Sequence, residues 1–245
     1  MHRFAVLLAI LACIVALRSH AASVPLVDME PGADYSNFNS FDEPNINGTW
    51  GWTFYVHSPL VVTHVAWYDE GGDGLSHPHR IGLWKDLSGA TAWPFISPAQ
   101  SQQLLPALDP VVIPAGNEAE LIDGWWRRVE LPLGPIVLSP GGYALGGEDN
   151  PSSTDAIRYH LDVQATGGTG NSLPADPRIQ IGAPGYSQAP GFHVPDLFIL
   201  VGGVELGAML FVQPIPEPST ASLTIVGVLA AGIVRHRRVR GGSRS

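Results

Sequence analysis

The residues best equipped for chemistry sit close together. Asp69, Glu70 and Asp73 lie in the glycine-rich run Asp69-Glu70-Gly71-Gly72-Asp73-Gly74, and His77-Pro78-His79 follows. Closely spaced carboxylates in a flexible loop suit Ca²⁺, a hard cation that takes oxygen ligands in loose geometry. Aspartate and glycine are equally the residues of a tight turn that holds no ion. His77 and His79 supply only two nitrogens, too few to close a transition-metal site.

Seven tryptophans, Trp50, Trp52, Trp67, Trp84, Trp93, Trp125 and Trp126, form a second group. Flat indoles can carry the C–H faces of sugars, and they can equally fill a core. Trp52, Trp67 and Trp84 fit the core of a β-sandwich. Trp125 and Trp126 are adjacent, so in a strand they point to opposite faces. At most one of that pair belongs to a given core, which makes Trp125 and Trp126 the candidate carbohydrate platform.

Catalytic constellations are thin. There is no Gly-x-Ser-x-Gly elbow and no His-Glu-x-x-His pair, and the one cysteine, Cys13, lies in the first apolar run. Lys85 is the only lysine, so no phosphate-cradling loop carries its usual cation. Carboxylates are plentiful enough for a glycosidase-type pair, but solvated faces and turns account for them. The expectation is a protein that is not an enzyme and needs no cofactor, with calcium as the only ion in view.

Charge narrows the partners. Between Ala22 and Ile215 there are six basic residues against twenty-one acidic ones, a balance near −15. Such a body repels phosphate backbones, so no nucleic-acid partner is expected.

The elements that position these residues read as short strands. Trp50, Trp52, Phe54 and Val56 alternate with Gly51, Thr53 and Tyr55, the period of a half-buried strand. Val61–Tyr68, Arg80–Lys85, Val111–Ile113, Trp125–Leu133, Ile136–Leu138, Tyr143–Gly146, Ile157–Val163, Leu197–Val201 and Leu206–Val212 continue the rhythm. Gly (28 residues) and Pro (22) bound nearly all of them, which favours turns over long helices. Residues 88–107 have room for a short helix, while Pro94, Pro98 and Pro106 exclude a long one. The predicted fold is mainly β: an antiparallel β-sandwich, jelly-roll-like, over 50–213, preceded by an irregular segment 22–49.

Both ends read as processing segments. Arg3, the apolar run Phe4–Leu17 and Ser19-His20-Ala21 make residues 1–21 a secretory signal peptide. The fourteen-residue run is short for a permanent span of a hydrocarbon core of about 30 Å, and the small-x-small site marks it for cleavage. Ile10-Leu11-Ala12-Cys13 has the look of a lipoprotein cleavage box, but apolar residues continue through Leu17, as in an ordinary signal segment.

At the other end, 214–245, Pro216-Glu217-Pro218 precedes the apolar span Ala221–Val234. The basic tail 235–245 follows, with Arg235, Arg237, Arg238 and Arg240. Arginines beside an apolar span stay cytoplasmic, which puts the body outside. The two prolines keep Glu217 on an extended, accessible stretch.

This tail resembles the PEP-CTERM sorting signal of exopolysaccharide-producing bacteria. The resemblance rests on Pro216-Glu217-Pro218, the span Ala221–Val234 and the arginines from Arg235. It implies recognition by an exosortase, a transient inner-membrane anchor through a transmembrane helix, and delivery to the cell surface or extracellular matrix. Trp50–Trp84 also resembles an uncharacterised extracellular β-sandwich module found with such tails. The likeness thins to Pro140-Gly141-Gly142-Tyr143-Ala144-Leu145-Gly146 further on. It implies a fold and a setting, and no activity. The expected role is a secreted surface or matrix protein binding extracellular polysaccharide. A structural or adhesive module without a small ligand is the alternative, and a secreted hydrolase the third.

Overall fold

The computed structural model describes residues 22–27, 39–40, 48–89, 98–105, 111–148, 150, 152–155, 158–161, 175–187, 189, 191–198 and 203–214. The chain divides into two units, Met1–Gln213 and Pro214–Ser245. The signal segment 1–21, Trp93, Pro216-Glu217-Pro218, the span 221–234 and the tail arginines all lie outside the described residues. Among the described residues no helix is long and apolar enough to cross a membrane.

The first unit is mainly β and built from antiparallel pairs. Its strands are β1 (Val24–Pro25), β2 (Asn39–Ser40), β3 (Thr49–Val56), β4 (Leu60–Tyr68), β5 (His79–Asp86), β6 (Ser101–Gln103), β7 (Val111–Ile113) and β8 (Glu120–Ile122). There follow β9 (Trp126–Glu130), β10 (Ile136–Leu138), β11 (Gly141–Glu148), β12 (Arg158–Leu161), β13 (Ile179–Ser187), β14 (Leu197–Phe198), β15 (Gly203–Leu206) and β16 (Ala208–Val212).

One sheet runs β1-β16-β4-β9-β8, with β10 also on β4. A second runs β14-β13-β3-β11-β5-β6, with β7 also on β5, and β15-β12-β2 make a small third. The two large sheets share one core, consistent with a sandwich. Val62, Val65, Trp67 and Leu210 of the first sheet pack in the same cluster as Trp52, Phe54, Ile81, Leu83, Tyr143 and Leu145 of the second. Trp52 ties the layers directly, its Nε1–H donating to the Ala208 carbonyl at 3.3 Å.

Trp67 reaches from β4 into the second sheet, and Gly147 on β11 makes room for it. A Cβ at Gly147 would stand 2.0 Å from Trp67 Cζ3. The Trp67 ring then lies flat on His79 of β5, with centroids 4.0 Å apart and planes 7° apart.

The pattern differs from the sequence expectation in three places. Segment 22–49 is not merely irregular: β1 pairs with β16, placing Val24 opposite Val212, and Leu26 and Val27 are fully buried. Its edge is held by backbone bonds, with Leu26 N–H donating to Leu210 O at 2.8 Å. β3 is buried along nearly its whole length, so it is covered on both faces and not half-buried. Within 88–107 the described residues hold a 3₁₀ turn, Pro98–Gln100, leading into β6.

Strand pairing fixes two ends. Val24, Val212, Val62 and Ile136 form one row across β1, β16, β4 and β10. In the second sheet the last residue of β3, Val56, faces Gly141 of β11 and Ile179 of β13. Both rows adjoin the short β3–β4 connection at 57–59, so they mark one end of the body. At the opposite end lie the Asp69–Gly74 turn, the start of β5 and the end of β11.

Candidate functional site

Three clusters of charged residues lie at that opposite end. The first forms around the acidic turn. β4 ends at Tyr68, and Asp69 turns its carboxylate inward instead of toward solvent. Arg127 Nε donates to Asp69 Oδ2 at 2.7 Å, and the Gly74 N–H donates to the same oxygen at 3.1 Å. Arg127 also donates to Ala119 O at 3.2 Å, to Gly72 O at 3.0 Å and to the Asn117 side-chain oxygen. Both charged side chains are sealed, 5% exposed for Arg127 and 2% for Asp69.

The cation around which these oxygens gather is thus a guanidinium. Glu70 and Asp73 point outward and are exposed. The structure therefore does not bring Asp69, Glu70 and Asp73 together, and no group of three or more metal-capable side chains forms among the described residues.

The second cluster is centred on His79, which is completely buried. Its Nε2 lies 2.8 Å from Asp155 Oδ2 and its Nδ1 lies 3.1 Å from Glu148 O. Each ring nitrogen thus faces an oxygen acceptor and is tied to a neighbouring segment. Asp155 also accepts from the backbone N–H of Ser76 at 2.8 Å and from Ser153 Oγ at 2.9 Å. Burial pushes the Asp155 carboxyl upward, but the hydrogen bonds from His79, Ser76 and Ser153 outweigh it and bring its pKa down to about 2.

A histidine, an aspartate and two serines in contact suggest a nucleophilic triad, yet the geometry is wrong for one. The ring nitrogen that would activate a serine is bound to the Glu148 carbonyl. Ser76 and Ser153 hydroxyls instead lie 3.2 Å from each other. His77, beside them, has Nδ1 3.1 Å from Ser76 Oγ, so its ring belongs to the same fastening. The cluster pins the 152–155 loop to the start of β5.

The third cluster is a forked ion pair between Arg80 and Glu148, with Arg80 also 4.9 Å from the Phe192 ring centre. Phe192 packs on Trp84 with ring centres 5.4 Å apart, and Val194 and Ala144 complete this patch. Segment 191–196 thereby covers the outer face of the second sheet. His193 N–H donates to Thr49 Oγ1 at 3.0 Å in support.

Trp52, Trp67 and Trp126 lie in the core between the sheets. Trp84, expected there, packs instead on the outer face of the second sheet beneath Phe192 and Val194, because Ile81 and Leu83 take the inward positions of β5. Trp50, Trp52, Trp67, Trp84 and Trp126 are all buried. The Trp125–Trp126 pair departs from the strand expectation because β9 begins only at Trp126. Asp123 and Gly124 both adopt positive φ, 54° and 87°, and Trp125 N–H closes the turn on Ile122 O at 3.1 Å. Trp126 is wholly buried and offers no face to a sugar. Trp125 is half-buried and packs against the core.

Neither residue type nor spacing singles out Arg127, Arg80, Glu148 and Asp155. The available signal was scarcity: with only six basic residues in 22–215, a buried arginine must hold an acid, and Asp69 is its partner. Comparison of the chain with protein-family models, curated proteins and solved structures finds no match.

Proposed function

We propose that this chain is an exported surface protein whose body serves as a non-enzymatic structural or adhesive module. In this reading residues 1–21 direct export and an exosortase acts at Pro216-Glu217-Pro218. The span 221–234 holds the protein briefly in the inner membrane, with Arg235, Arg237, Arg238 and Arg240 inside. The body, a jelly-roll-like sandwich, is delivered to the cell surface or the exopolysaccharide matrix. The observation that carries this is the order of motif, apolar span and arginine cluster at the C-terminus.

Two features of the body favour a structural role over sugar binding or hydrolysis. Five of the seven tryptophans are buried, and the described residues hold no exposed aromatic row. The His–Asp pair found among the described residues, His79 and Asp155, has both ring nitrogens engaged in holding loops. Deleting the exosortase of the native host tests the sorting part. The tail-bearing form should accumulate in the membrane fraction; an unchanged distribution between membrane and surface would count against the reading.

A further inference from the structure

The end of the body from which the chain leaves exposes several large apolar side chains, and this points to a partner. The exit is fixed: Gln213 N–H donates to Val61 O at 2.9 Å, and Arg178 donates to Gln213 O at 3.0 Å. Val24, at the start of β1, stands opposite Val212, so the N-terminal strand begins at the same end.

The three most exposed large apolar residues among those described are Leu133 (81%), Val137 (62%) and Leu87 (57%), and all three belong here. Val137 pairs with Val61, in the row next to the exit. Leu133 lies in the excursion between β9 and β10, and Leu87 follows the last residue of β5. The opposite end carries the exposed carboxylates Glu70, Asp73, Glu118 and Asp123. The most exposed apolar side chains among the described residues thus lie at one end, and a group of exposed carboxylates at the other.

We propose that this end rests on the lipid surface while the tail is in the membrane, with Leu133 and Val137 entering the headgroup region. The inference rests on the sorting reading above, and length selects the occupant. Seven residues, 214–220, separate the exit from the apolar span. At no more than about 3.5 Å each they reach roughly 25 Å. A folded body of this size has a radius of gyration of about 16 Å and so a diameter near 40 Å. A tether shorter than the body is wide keeps the exit end toward the bilayer. Exposed leucine and valine there gain by leaving water for the interface. Anionic headgroups repel the acidic end, which reinforces the same orientation.

The test uses the full chain in a Cys13→Ser background, with Leu133→Cys, Val137→Cys or, at the opposite end, Leu121→Cys. Each variant carries an environment-sensitive fluorophore and is reconstituted into phosphatidylethanolamine/phosphatidylglycerol vesicles containing a shallow nitroxide-labelled lipid. The labels at 133 and 137 should be quenched several-fold more than the label at 121. Equal quenching at all three sites would overturn the proposal. So would labels at 133 and 137 that are shielded to the same degree in lipid-free detergent at high protein concentration, which would indicate a second copy as the partner. Protein that floats with vesicles while 133 and 137 stay unquenched would overturn the contact and leave the tail anchor standing. Protein that does not float would overturn both.

Discussion

Asp69 and Arg127 form an ion pair at 2.7 Å that is almost wholly removed from water, and the glycine-rich turn is wound around it. Removing one partner strands the other charge in a dry site. Asp69→Ala should therefore destabilise the body by about 3–5 kcal/mol, read as a shift of the denaturant midpoint. Arg127→Met with Asp69 retained should cost a similar amount. The double replacement should cost clearly less than the sum, because the two residues act as one unit. Additive costs would show that the pair is not coupled.

The same geometry bears on calcium. With the Arg127 guanidinium occupying the oxygens of Asp69, Gly72, Asn117 and Ala119, millimolar Ca²⁺ should leave the melting temperature unchanged beyond the effect of equal Mg²⁺. A rise specific to Ca²⁺ and abolished by Asp73→Ala would show a site at the turn. By linkage, a ligand at a hundred times its Kd would add about 2.7 kcal/mol, so the measurement has the range to see it.

Gly147 and Trp67 make a second, purely steric prediction. Gly147→Ala sets a methyl 2.0 Å from the indole, and the ring, stacked on His79, has little room to retreat. A loss of about 1–3 kcal/mol is expected, the usual result of overpacking. Trp67→Ala should cost about 3–5 kcal/mol through the cavity it leaves. Unmoved midpoints would mean that Trp67 is not held between the sheets.

Acid should loosen the 152–155 loop. The folded pKa of Asp155, about 2, lies below its ordinary value of 3.8, so the carboxylate stabilises the fold above that value. The contribution falls away as pH drops from about 4 to 2, and amounts to about 1–2 kcal/mol. Asp155→Asn should be less stable at neutral pH and lose less between pH 4 and 2. Urea titrations at stepped pH would show it; parallel slopes for the two proteins would refute the role given to Asp155.

Much of the strand order is legible in the sequence, for a physical reason. β10 matches its apolar run Ile136–Leu138, β4 differs from its run by one residue at the start, and β5 extends its run by one residue at each end, because β-branched and aromatic residues recur there between turns. β13 is hidden because Gly182, Pro184 and Gly185 interrupt it. Those residues mark a register shift between Ile181 and Pro184, which a pairing strand tolerates and a periodicity does not reveal. The apolar run starts at Trp125, but Asp123-Gly124 before it is the residue pair that a positive-φ turn demands, so the strand starts one residue later. Arg127 was invisible for another reason. Alternation says which way a side chain points, but not that a partner from a distant turn will neutralise it.

The central claim, a body exported at one end of the chain and sorted at the other, is tested most directly by the mass of the mature protein. Intact-mass analysis of protein recovered from the surface or medium of the native host should show two losses, residues 1–21 and the segment beyond Pro216-Glu217-Pro218. Full-length protein embedded in the membrane and still carrying Arg235–Arg240 would contradict it.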